Sequence, residues 1–143
     1  GALTLLAGND VLVQNAMTAA GVLTVTATTG SVEFQQDVTT TGTNTPLVIS
    51  AGNNITLDGN GTTTGTFTAH ADVDLPTGPD SNAGLDTPGE DAGTGVFTLA
   101  ATKTVSTGSH ALLISAADVN LAGFLNSGTQ TTTIAAGGTS MRR

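Results

Sequence analysis

Leu3-Thr4-Leu5-Leu6-Ala7, followed within a few residues by Val11-Leu12-Val13, is the phrase on which the fold turns. It returns as Leu23-Thr24-Val25-Thr26-Ala27 with Val32-Glu33-Phe34, as Leu47-Val48-Ile49-Ser50-Ala51 with Ile55-Thr56-Leu57, and as Thr66-Phe67-Thr68-Ala69 with Val73-Asp74-Leu75. Three further copies are read at Phe97-Thr98-Leu99-Ala100-Ala101 with Val105, at Leu112-Leu113-Ile114-Ser115-Ala116 with Val119-Asn120-Leu121, and at Thr132-Thr133-Ile134-Ala135-Ala136. Every copy closes on Ala, and these alanines stand 15 to 32 residues apart. Self-similarity at such a period is the signature of a repeat architecture. Within each phrase apolar residues alternate, so Leu3, Leu5 and Ala7 face one way and Thr4 and Leu6 the other, as the two-residue period of a strand requires.

A third short element, Ala16-Met17-Thr18, Val38-Thr39-Thr40 or Phe124-Leu125, follows in the best-formed copies, with Gly21, Gly42 and Gly128 after it. Three strands and three corners make one coil. A single coil cannot bury its inner face, but coils stacked at roughly 4.7–4.9 Å bury it against each other, like residue on like. The first corner carries Asn9-Asp10, Thr29-Gly30, Asn53-Asn54, Ala71-Asp72 and Asp118, mostly residue types suited to turns. The reading is an all-β parallel β-solenoid (β-helix) of about six to seven coils. It fills residues 1–143 as one segment, with an excursion loop at 76–95 where three of the four prolines fall. An antiparallel immunoglobulin-type sandwich is the competing architecture, but such domains lean on Trp and Tyr, and this chain has neither.

Composition agrees with strands. Of 143 residues 29 are Thr and 19 Gly, while charged residues are 10% and aromatics 3%. β-Branched Thr favours the pleated surface, and strong helix formers are scarce. A net charge of −8 disfavours nucleic acid and anionic membranes as partners. The absence of Cys removes disulfides and thiolate chemistry. Apolar runs such as Leu112-Leu113-Ile114 are far too short to span a bilayer, so no membrane insertion is expected. A chain that opens at Gly1 reads as a mature product or an excised piece.

Gly1-Ala-Leu-Thr-Leu-Leu-Ala-Gly-Asn-Asp-Val-Leu-Val, echoed at Leu47-Val-Ile-Ser-Ala-Gly-Asn-Asn-Ile-Thr-Leu, resembles the repeats of filamentous-haemagglutinin-like exoproteins and other bacterial β-strand-repeat surface proteins. The resemblance implies a right-handed parallel β-helix, an extracellular or cell-surface location, and a role as an adhesin or matrix fibre. Nothing in the chain matches that family's secretion-signal domain.

Candidate chemistry is sparse. His70 and Asp72 share a strand face without a nucleophile nearby, and His70 and His110 read as solvent-facing. Gly59-Asn60-Gly61-Thr-Thr-Thr-Gly65 lacks the Lys and the following helix of a phosphate cradle and reads as a corner. Asn54-Ile-Thr56 and Asn60-Gly-Thr62 fit the glycosylation pattern, as chance provides in so Thr-rich a chain. Six of eleven acids crowd into residues 72–91. Asp80, Asp86, Glu90 and Asp91 are the oxygen ligands a calcium ion would take, but their spacing matches no calcium loop, so a solvated acidic loop is the expectation. No catalytic residue and no cofactor are expected.

The function expected is therefore non-enzymatic: a structural or adhesive segment of a fibre or surface layer, associating head to tail through its terminal coils, with surface glycans as candidate ligands. The alternatives are a carbohydrate-processing β-helix enzyme, which needs acids grouped with basic residues when the only ones are Lys103, Arg142 and Arg143, or a glycan-binding module.

Overall fold

The computed structural model describes residues 1–71 and 95–136, and among these all regular structure is strand. The first coil holds β1 (Leu3–Ala7), β2 (Val11–Val13) and β3 (Met17–Ala19); the second β4 (Leu23–Ala27), β5 (Val32–Phe34) and β6 (Val38–Thr40). The third holds β7 (Leu47–Ala51), β8 (Ile55–Leu57) and β9 (Gly61–Thr62); the fourth β10 (Phe67–Ala71), β11 (Val96–Leu99) and β12 (Thr104–Ser106). The fifth holds β13 (Leu112–Ala116), β14 (Asp118–Leu121) and β15 (Phe124–Asn126), and β16 (Thr132–Ala136) opens a sixth. All pairings are parallel. Sheet A runs β1-β4-β7-β10-β13-β16, sheet B β2-β5-β8-β11-β14 and sheet C β3-β6-β9-β12-β15. A parallel solenoid, not a sandwich, is thus the architecture.

The coil count differs from the expected six to seven, and the reason lies in the fourth coil. Phe97-Thr98-Leu99 does not begin a new coil: it is the sheet B strand that completes the coil begun by β10, with Phe97 opposite Ile55. Five complete coils and one further strand result. The Ala ladder also shifts, because Phe67 lies opposite Leu47, which places Ala71 rather than Ala69 beside Ala51. Ala69 stands instead in the central column, opposite Ile49 and Ile114. The alternation L-x-I-x-A is equally consistent with either reading of Phe-Thr-Ala-His-Ala; only the neighbouring coil decides. Residues 72–94, which include Val73-Asp74-Leu75 and nearly all of the expected excursion, lie outside the described residues.

Inward positions build one core. Leu23, Leu47, Phe67 and Leu112 form a column; Val25, Ile49, Ala69 and Ile114 the next; Ala27, Ala51, Ala71 and Ala116 the third, each fully or almost fully buried. Phe67 and Phe97 meet edge to face with centroids 6.5 Å apart, an arrangement aromatic quadrupoles favour. Gly61 stands in the facing column, where a Cβ would lie 3.8 Å from the Phe67 ring, at ordinary van der Waals contact.

Candidate functional site

Corners are where a solenoid must satisfy backbone groups that the sheets leave over, and this chain does it with columns of side chains. At the A–B corner Asp10 Oδ1 accepts the Ser31 N–H (2.8 Å), Ser31 Oγ the Asn54 N–H (3.2 Å), and Asn54 Oδ1 the Val96 N–H (2.8 Å). At the B–C corner Asp37 Oδ1 accepts from Asn60 N–H (2.8 Å), and Asn60 Oδ1 from Thr104 N–H (2.9 Å). Each side chain thus holds the coil that follows it. Asn54 and Asn60, the glycosylation-pattern residues, are both engaged in these columns.

The C–A corner carries a feature that composition concealed. Thr40, Thr63, Thr107 and Ser127 stack on successive coils, all buried. Thr40 Oγ1 donates to the Thr45 carbonyl (2.6 Å), Thr63 Oγ1 to the same carbonyl (2.6 Å), Thr107 Oγ1 to the His110 carbonyl, and Ser127 Oγ to the Gln130 carbonyl (2.7 Å). Thr40 and Thr63 sit 2.8 Å apart, oxygen to oxygen, and Thr45 Oγ1 meets Thr64 Oγ1. The hydroxyls anchor the loops that lead from one coil to the next. A signal existed in Val38-Thr39-Thr40 and Gly61-Thr62-Thr63, where the second Thr takes an inward position by alternation.

The two histidines are not simply solvent-facing. Both are half-buried. His70 stands in the outward column of sheet A, between Ser50 and Ser115. His110 Nδ1 lies 2.9 Å from the Thr107 carbonyl and Nε2 2.8 Å from Asn44 Oδ1, so the ring straps loops two coils apart. Asp72 lies outside the described residues, as do the calcium candidates Asp80, Asp86, Glu90 and Asp91 and the terminal Arg142 and Arg143.

A pair of acids was not anticipated. Glu33 projects from the outer face of sheet B, one coil below Thr56, and Asp58 follows β8 at the next corner. A hydrogen bond to Asp58 raises the Glu33 carboxyl above its ordinary range, with partial burial and repulsion from Asp58 acting in the same sense and a bond to Gln35 opposing them.

A concavity of about 750 Å³ lies at the N-terminal end and is lined by Leu5, Leu6, Val11, Leu12 and Met17 among others. It is the open mouth of coil 1. Leu3 is 39% exposed although Leu23, Leu47, Phe67 and Leu112 in its column are buried, and Leu6 and Leu12 are 73% and 51% exposed. At the other end Ile134, in the central column, is 43% exposed. No protein-family model, curated protein or solved structure matches the chain.

Proposed function

We propose that this chain is a non-enzymatic structural or adhesive protein of the bacterial cell surface or extracellular space, a β-solenoid segment of a fibre or surface layer that stacks end to end. The observation that carries the reading is the continuity of the side-chain columns through five coils, together with their apolar residues at both ends, Leu3 and Ile134. A column of like residues gains by every coil added, because each coil buries the inner edge of the one before. Open strand edges are templates for pairing, and a contact between unlike faces that does not close generates a filament. The likeness of the repeats to filamentous-haemagglutinin-like exoproteins points the same way, and surface glycans are the ligands such a segment would meet. Electron microscopy and fibre diffraction of the native material test it: filaments with a meridional repeat of roughly 4.7–4.9 Å are expected. Monodisperse globules at every concentration would refute the fibre.

A further inference from the structure

Among the described residues sheet A begins at β1 and ends at β16, and each of these strands has one edge without a partner strand. The two edges present complementary halves of the same parallel ladder. They also carry matched columns, since β1 continues to Leu23, Val25 and Ala27 and β16 continues from Leu112, Ile114 and Ala116.

Charge directs the ends toward each other. In a chain of net charge −8, residues 1–32 contain one charged side chain, Asp10, and β16 contains none. Like-charge repulsion between two copies is therefore weakest where these strands lie. Resting on the fibre reading above, we infer that the open edge of β1 docks the open edge of β16 of a second copy, parallel and in ladder register. Thr132 then lies opposite Leu3, Thr133 opposite Thr4, Ile134 opposite Leu5 and Ala136 opposite Ala7. The Leu/Val/Ile column and the Ala column run unbroken from one copy to the next, and the exposed faces of Leu5 and Ile134 cover each other.

Among the described residues sheet A alone carries this contact, because β16 stands one strand beyond β14 and β15. The buried area is accordingly well below the roughly 1,600 Å² of a standard stable interface, and association is reversible and concentration-dependent.

The absence of cysteine makes the register directly readable. Thr4 and Thr133 are exposed, point outward and lie outside the core, so Thr4→Cys and Thr133→Cys preserve the melting temperature. Under mild oxidation of the full-length chain, mixing the two variants should give a covalent dimer, and the double variant a ladder of oligomers. Neither single variant alone should exceed the background set by Thr62→Cys, an exposed position on a middle coil. Sedimentation across concentrations supplies the second readout. Association accompanied by Thr4→Cys homodimers, or by no cross-link at all, overturns the strand assignment while leaving end-to-end assembly standing. A strictly monomeric chain at all concentrations overturns both.

Discussion

Ile49 and Ser50 are neighbours in sequence and opposites in environment: Ile49 is fully buried in the central column, and Ser50 faces outward beside Thr26 and His70. Ile49→Asp loses the packing of a core side chain and places a carboxyl where no partner exists, a loss on the order of 4 kcal/mol or more. Ser50→Asp should stay within about 0.5 kcal/mol. Melting temperatures separated by roughly 10 °C or more are expected, and equal ones would show the facing to be wrong. Glu33 offers a pH test. Its carboxyl is raised by the bond to Asp58 in the folded protein. The Glu33 proton therefore contributes stability that is fully present below the ordinary glutamate range and is lost as pH rises through the raised value. Glu33→Gln removes the repulsion that replaces it, so the variant should melt above the parent at neutral pH and lose that advantage in acid. The pair lies on the surface, which limits the gain to less than about 1 kcal/mol and makes it shrink with salt.

At the scale of the element, the buried hydroxyl column makes the third corner more than a turn. Thr63 Oγ1 donates to Thr45 O, accepts from the Gly65 N–H and lies 2.8 Å from Thr40 Oγ1. Thr63→Val keeps the shape and the β-branch but strands those groups in a buried corner, a loss of about 2–3 kcal/mol. Thr62→Val, one residue earlier and exposed, should be close to neutral. Thermal melts of the pair decide whether the column holds the corner. These contrasts also explain what was legible in the sequence. Strands β1, β4, β7 and β13 were readable because a five-residue alternation closed by Ala leaves only one facing. In sequence β10 aligns two residues out of register because Phe-Thr-Ala-His-Ala alternates through two alanines, and β11 looks like a new coil because residues 72–95 separate it from β10. The hydroxyl column was missed because Thr is so abundant that its inward positions look like its outward ones. The Glu33–Asp58 pair was missed for a different reason: the two residues meet only across adjacent coils, while attention falls on the denser acids at 72–91. Asn54 and Asn60 match the glycosylation pattern as chance provides in a Thr-rich chain, and their side-chain oxygens hold the next coil at the corners.

For the molecule as a whole, stacking makes stability a sum of nearest-neighbour terms, so protection should vary along the axis rather than being uniform. Coil 3 is covered by a coil on each side, and Leu47, Ile49, Ile55 and Leu57 are fully buried. Among the described residues coil 1 has a neighbouring coil on one side, which leaves Leu3 39% exposed, and β16 has β13 as its one partner strand. Amide hydrogen exchange should therefore be slowest in residues 47–62 and faster at both ends, by on the order of a hundredfold where terminal coils open without the rest. The Leu47 N–H bonded to Thr66 O and the Leu3 N–H bonded to Val22 O give a matched pair of probes, since both are strand-entry amides in the same sheet. A single exchange rate for the two would mean that the solenoid opens only as one unit. Concentration adds a second axis to the same experiment. If copies dock through β1 and β16, raising the concentration slows the outward-facing amides of those two strands while those of β2 and β3 keep their rates. Slowing spread evenly over all three strands of coil 1 would instead require a contact that covers its whole triangular face, and the sheet A ladder would not be what joins one copy to the next.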